Sequence, residues 1–322
     1  LECHRFVQAF ARVAPERGST LAKLLNRPMG QRTPFQFALT AFGRDYVGVR
    51  SYVESRLDIA TGPQREILTH LALAYYYGHK PLLSQVFASH LGHPEHIPLR
   101  LENILRQPQL ELLVQEDGQM WRPAHQLLAE EILISSLAQT LGERQNWKRN
   151  LPEWAIDFIG VCRRGVQIPS DDLIDLMRRV FILRDEHELL GKESAGLSHF
   201  AQLIEDIPTK EGRLSVLQEL VNLFPDQAHF WGHLGRFYSI AMRDYDKAVE
   251  ALDEAVRLYP EDPVLHHMRG MCYREKAITR MQQLRTEEPS EKDTLEMEDL
   301  VDQALETFAR AIEIDPYQEH AY

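Results

Sequence analysis

Cysteine is scarce. Cys3, Cys162 and Cys272 are the three in 322 residues, widely spaced and without a Cys-x-x-Cys pair. That excludes a disulfide framework and a cysteine-rich zinc site and points to a reducing compartment, expected to be the cytoplasm. Long apolar runs are lacking too: mean hydropathy is -0.36, and no stretch of about 20 apolar residues could cross a bilayer as a helix. The opening Leu1-Glu2-Cys3-His4 has no Met, no basic n-region and no apolar h-region. No secretory signal is visible, and the chain is expected to be a piece of a longer protein. A phosphate-binding Gly-x4-Gly-Lys-Ser/Thr is missing, since Gly191-Lys192-Glu193-Ser194 lacks the upstream glycine and the preceding strand. The chain is therefore expected to be no enzyme and to hold no cofactor by itself. Clustered cations are also missing. Residues 1–180 carry 21 Lys+Arg against 19 Asp+Glu, a net +2, while residues 181–322 carry 15 against 29, a net -14. Such a charge distribution argues against nucleic acid as a partner.

What is present is globular and helical. Apolar residues make up 44 % of the chain and charged residues 26 %, enough to bury a sizeable core. Apolar spacings of three and four dominate, so the fold class is mainly α. Residues 1–60 read as a small helical module, with Phe6, Val7, Phe10 and Val13 on one helical face and Val49, Tyr52, Val53 and Leu57 on another. Residues 61–142 read differently. Pro63 suits a first helical turn, and Ile67, Leu68, Leu71, Ala72 and Tyr75 follow on a helix ending near Gly78. Further helices are expected at 82–91, closed by Gly92, and at 99–105. A β-hairpin follows, with strands at 110–115 and 119–122 around Glu116-Asp117-Gly118, then a helix from His125 to Leu141. Helix, helix, helix, two-stranded wing, helix is the order of a winged-helix domain. Its third helix offers only Arg100 and Arg106 as cations, which favours contact with protein over reading of DNA. A winged-helix transcription regulator stays as the weaker alternative.

Residues 143–212 read as a helical linker with degenerate repeats, Ser170-Asp171-Asp172 opening one helix as a hydroxyl cap with acids in its first turn. Residues 213–322 carry the strongest pattern. Trp231, Leu234, Gly235 and Tyr238, followed by Ala248, Leu252, Ala255 and Pro260, reproduce a tetratricopeptide repeat with a one-residue insertion between its two helices. It recurs as Gly270 and Tyr273, then Ala304, Phe308, Ala311 and Pro316, and Tyr322 falls on the first aromatic position of another copy. The expected architecture is a helical segment and winged helix followed by a tetratricopeptide α-solenoid. Ala248 to Ala304 and Pro260 to Pro316 are both 56 residues, 22 more than a repeat of about 34. Shared between two helices, the excess keeps the packing phase and predicts a long hairpin at about residues 279–300, projecting by roughly 16 Å, with its turn near Glu288-Pro289-Ser290. Residues 285–302 hold eight carboxylates against Arg285 and Lys292; this acidic surface reads first as a solvated helical face.

First-helix positions that line the concave face of such repeats are His229, Gly232, Arg236 and Ser239, then Val264, His267, Met271 and Arg274. The candidate partner-binding residues for a protein or peptide ligand are His229, Arg236, Ser239, His267, Met271 and Arg274. The two arginines suit a partner's carboxylate or phosphate, or equally the chain's own acids. His90, His93 and His96 have a regular spacing, but Gly92 and Pro94 break the helix that would align them, so no metal site is expected. Glu130-Glu131 and His266-His267 point to different helical faces and make no catalytic pair.

At Pro34-Phe-Gln-Phe-Ala-Leu-Thr-Ala-Phe-Gly-Arg-Asp-Tyr46 and Trp121-Arg-Pro-Ala-His-Gln-Leu-Leu-Ala-Glu-Glu-Ile-Leu133 the chain resembles STAND-class signalling NTPases, including bacterial antiviral STAND proteins and the sterile alpha motif domain-containing-9 antiviral family. The resemblance implies a regulatory and sensor fragment of a nucleotide-gated switch in antiviral or stress signalling. Residues 1–60 would end the nucleotide-binding region, and the repeats would sense a protein trigger. It implies ATP or ADP with Mg in the parent protein, contact with the parent's nucleotide-binding domain, and homo-oligomerisation of the parent. His125 would contact the ADP phosphates. A stand-alone repeat scaffold without nucleotide coupling is the alternative.

Overall fold

The computed structural model describes residues 2–13, 21–26, 37, 48–94, 96–138, 140–166, 169–183, 200–284 and 290–317. They are mainly α-helical with one small sheet. The chain divides into two compact units, Leu1–Asn150 with Arg164–Val166, and Leu151–Arg163 with Gln167–Tyr322. Of the stretch Pro34–Tyr46, only Phe37 lies within the described residues.

In the first unit, α1 (Glu2–Val13) sets Val7 in a small core with Leu21, Leu24 and Phe37, and α2 (Val49–Leu57) buries Val53 and Leu57. Helix α3 (Gly62–Gly78) carries Pro63 in its first turn. Its entry is fixed by the Thr61 N–H donating to Gln64 Oε1 at 3.0 Å, and it closes on His79 at a left-handed φ of 52°. Ile67, Leu68 and the run Leu71–Ala74 are fully buried, so this helix is the centre of the unit.

The helices expected at 82–91 and 99–105 do not form. Leu82–Leu83 is strand β1, Ser84–Phe87 and Leu101–Asn103 are 3-10 turns, and α4 (Gln107–Leu110) is a single turn. Long-range bonds outcompete the local ones: the Ser84 N–H donates to the Gln119 carbonyl at 2.9 Å and the Ser84 hydroxyl to the Leu99 carbonyl at 2.7 Å. Pro94, Pro98 and a left-handed Gly92 then cut the intervening chain. Strands β2 (Leu113–Gln115) and β3 (Met120–Pro123) make the expected hairpin, and β1 pairs on the other edge of β3, giving an antiparallel sheet in the order β1-β3-β2. Helix α5 (Gln126–Leu137) packs on α3. It ends at Leu137, short of the expected Leu141, because Ala138 turns extended. A kinked 3-10 stretch, Leu141–Asn150, follows and returns Arg144 to Glu54 of α2 at 3.2 Å and to Glu131 of α5.

The second unit takes in α6 (Leu151–Arg164) through Arg163, then α7 (Asp171–Phe181), α8 (Gln202–Asp206) and α9 (Lys210–Leu223). Ser170 caps α7, its hydroxyl accepting the Leu173 N–H at 3.3 Å. Next come α10 (Ala228–Phe237), α11 (Tyr245–Leu258), α12 (Pro263–Leu284) and α13 (Glu291–Ile314). The extra residue in the repeat has a local solution. Tyr238–Met242 continues α10 as a π-helical turn, and Arg243, at a φ of 55°, ends it before Asp244 caps α11. One inserted residue converts a stretch of α-helix into such a turn without shifting either flank.

Helices α10 and α11 pack where Gly235 leaves room: a β-carbon there would stand 2.6 Å from Leu252 Cγ and 3.0 Å from the Ala248 carbonyl oxygen. Gly270 of α12 gives the same room to the Phe308 ring of α13. Helices α12 and α13 have 22 and 24 residues against 14 in α11. They run antiparallel, with Tyr273 and Ala277 against Leu300 and Ala304, and Arg280 paired with Asp293 at 2.5 Å. Of the expected turn, Glu288 and Pro289 lie outside the described residues; Ser290 caps α13 through the Asp293 N–H at 3.2 Å.

Candidate functional site

Helix α10 with its π-helical continuation, and helix α12, carry the six first-helix candidates, and the structure gives each a distinct setting. His229 is half-buried with Nε2 3.4 Å from Asp262, whose other carboxylate oxygen accepts the Val264 N–H at 2.8 Å and so caps α12. Burial pushes this imidazole below its ordinary value; the Asp262 carboxylate opposes the shift and the Arg178 guanidinium adds to it. His229 is thereby tied to the start of the next helix. The Arg236 guanidinium lies 5.8 Å from the centre of the Phe200 ring. Ser239 is 8 % exposed and lowers the neighbouring Cys272 thiol, which burial nevertheless pushes up to about 11. That residue presents little to a ligand, because the π turn rolls it into the helix pair. His267 is half-buried with its ring 5.6 Å from Phe308, Met271 is half-buried, and Arg274 is exposed with Glu275 at 2.8 Å. The larger open part of this face is therefore Arg274 with Met271 and His267.

His125 stands at the head of α5 in the first unit. Its Nδ1 accepts the Leu127 N–H at 3.1 Å, which makes it the cap of the helix and leaves the ring proton of the neutral form on Nε2. Burial pushes its pKa below the ordinary histidine value. Protonating it in the fold costs both that desolvation and the cap bond. The penalty is absent above the ordinary value near 6.5, grows as pH falls below it, and is complete once pH is below the depressed one. The unfolding midpoint of the wild type should therefore drop between pH 7 and pH 5 more than that of His125→Asn, which caps without titrating. Circular dichroism melts of the two proteins check this, and parallel pH profiles would refute it. At neutral pH His125→Ala should cost about 0.5–2 kcal/mol as a lost cap.

His90 pairs with Glu66 at 2.6 Å, and among the described residues no group of three His, Cys, Asp or Glu could hold a metal ion. A cavity of about 730 Å³ lies along the non-helical stretch, lined by Leu91, His93, Ile97, Leu99, Arg100 and Ile104. It exists because 82–91 and 99–105 are not helices, so sequence periodicity pointed away from it. Among the described residues no helix is long and apolar enough to cross a membrane.

A tetratricopeptide-repeat family model matches residues 228–262, the stretch from the start of α10 to the cap of α12. The human protein described as IFIT1 homolog B is 25 % identical over 162 residues, covering 50 % of this chain and 29 % of that protein. The matched part thus spans less than a third of that relative's length. Among solved structures, that of MamA shares 17 % identity over 57 % of this chain and 78 % of its own, with a TM-score of 0.28. The human IFIT1 dimer with m7Gppp-AAAA shares 14 % identity over 85 % of this chain and 72 % of its own, with a TM-score of 0.25. The chain is a mainly helical protein that contains a tetratricopeptide repeat.

Proposed function

We propose that the chain is a non-catalytic sensor and scaffold segment. Its repeats hold a protein or peptide ligand on the first-helix face of α10 and α12, and its N-terminal unit couples that event to the nucleotide state of a STAND-class NTPase in antiviral or stress signalling. One observation carries the ligand-binding half: the close helix pairing at Gly235 and Gly270, which fixes two successive first helices as a rigid surface of the kind repeat proteins use for recognition. Arg236 and Arg274 supply the charge for an acidic ligand, with His267 and Met271 as its softer contacts. His229 and Ser239 support the surface from beneath.

The coupling half draws on the first unit. The succession of α3, β1, short turns, the β2–β3 hairpin and α5, with β1 on the far edge of β3, supports a winged-helix reading. His125, with an Nε2 donor at a helix N-terminus, has the chemistry to meet a phosphate. In this reading ATP or ADP with Mg belongs to the parent protein, which oligomerises when triggered in the cytoplasm, and residues 61–142 are its winged helix. A repeat scaffold without nucleotide coupling accounts equally for the tetratricopeptide match at 228–262.

Two measurements separate these readings. Partners captured from lysate by the wild type should be lost at least about tenfold with Arg236→Glu/Arg274→Glu; equal capture would remove the first-helix face from the account. Calorimetry of ADP against the protein extended upstream should show binding weakened by His125→Ala. An extended, folded protein that binds no nucleotide leaves the scaffold alone.

A further inference from the structure

We infer that the cavity along the non-helical stretch of the first unit binds a small amphipathic carboxylate, an acid group on an aliphatic body. Bonds from outside the stretch hold its two sides. Gly92, in its left-handed conformation, lets the His93 N–H donate back to the Ala88 carbonyl at 2.8 Å, which fixes His93 in one wall. On the other side Gln85 Oε1 accepts the Leu99 N–H at 3.0 Å, and the Ser84 hydroxyl donates to the Leu99 carbonyl at 2.7 Å. Leu99 is thereby anchored in the floor, 3 % exposed. With both sides pinned, a hollow of about 730 Å³ remains between them, the capacity of a small organic ligand.

The lining has two chemical ends. Leu91, Ile97, Leu99 and Ile104 offer aliphatic surface, with Ile97 still 44 % exposed. Arg100 and Asn103 form the polar end. The Asn103 N–H donates to the Arg100 carbonyl at 3.1 Å, and a 3-10 step of three residues sets two side chains on one side, so both line the same cavity. In a chain of net charge -12, Arg122 and Arg144 have carboxylate partners. Arg100 has none among the described residues, and no carboxylate of theirs lines the hollow. His93 adds an independent sign: its Nε2 is shielded from solvent and has no hydrogen-bond partner, a costly state for a buried polar atom until a ligand group reaches it. A guanidinium and a side-chain amide present N–H donors that suit the two oxygens of a carboxylate. One permanent cation matches its single charge, whereas a phosphate monoester would bring nearly two.

The probe is sodium octanoate, titrated into the 322-residue protein with labelled isoleucine methyl groups and followed by NMR. Saturable shifts of the Ile97 and Ile104 methyls are expected, with affinity falling at least about tenfold in Arg100→Ala, the loss of one charge-assisted pair. Asn103→Asp sets a like charge at the polar end and should cost as much. Both residues are exposed, and circular dichroism checks that the variants fold. Octanol needs no variant: with the same aliphatic body and no charge, it should bind the wild type at least about tenfold more weakly than octanoate. An acetylated tripeptide ending in leucine is the second arm. Binding of octanoate assigns the site to free acids, and binding of the peptide alone assigns the same carboxylate chemistry to a chain terminus. The inference is overturned if neither moves these methyls, if octanol matches octanoate, or if folded Arg100→Ala binds octanoate as the wild type does.

Discussion

Phe230→Ala will lower the unfolding free energy of the repeat unit by about 3–5 kcal/mol, the usual cost of emptying a closed core of a phenyl ring. Phe230 has no exposed surface. Its ring meets Phe224 edge to face, with centroids 6.0 Å apart and planes at 87°, an arrangement stabilising beyond its buried area. Phe224 closes α9 and Phe230 opens α10, so the pair is what joins one helical hairpin to the next. Neither backbone can collapse into the void without breaking the Trp231 indole N–H bond to the Pro225 carbonyl, 2.9 Å long, which fixes the turn between them. Urea unfolding followed at 222 nm is the check. A midpoint shift worth under about 1 kcal/mol at unchanged m would mean that the ring does not hold the junction.

The next largest effect is expected at Gly235. Alanine is the better helix former by about 1 kcal/mol, so on propensity alone Gly235→Ala stabilises. Packing reverses the sign. The new β-carbon meets Leu252 at Cγ, near the root of a buried side chain, and a backbone oxygen of Ala248. Neither can rotate away, and overpacking of this kind costs about 1–3 kcal/mol. Gly235→Ala should therefore destabilise by about 1–2 kcal/mol net, and Gly235→Val by more, since a branched side chain adds two methyl groups to the same contact. Gly232→Ala is the internal comparison: its β-carbon would touch the Leu265 Cδ2 methyl at 2.8 Å and Met268 Sδ at 3.5 Å, the mobile ends of flexible side chains, and its net effect should be near zero. Equal losses at the two glycines would show that general crowding, not the α10–α11 contact, sets the result.

How far the sequence reaches can be judged element by element. Where small residues recur at repeat spacing, as at Gly235, Ala248, Gly270 and Ala304, the pattern already fixes which helix faces meet, because only those positions admit a second backbone. The one-residue insertion after Tyr238 was legible as a count, but its π-helical form was not, since an extra residue can equally lengthen a loop. In the first unit residues 82–91 and 99–105 have helix-like sequences but form a strand and 3-10 turns. The stretch from Leu82 to Leu91 reads as a helix, yet Ser84 bonds to Gln119 and Leu99, partners that no local window contains. Of the candidate ligand face, Arg274 and Met271 could be named from repeat position alone. The engagement of His229 with Asp262 and the burial of Ser239 depend on how α10 and α12 come together.

By itself, then, the sequence determined the helical class, the repeat running from Trp231 to Pro260, and the hairpin of β2 and β3. Each rests on short-range periodicity, on caps, or on small residues at fixed intervals, which are properties of neighbours along the chain. Only the tertiary structure decided that β1 completes a three-stranded sheet and that a cavity opens where helices were expected. Those outcomes turn on which distant group satisfies a backbone N–H or buries an apolar stripe, a competition settled in space and carried by no local pattern.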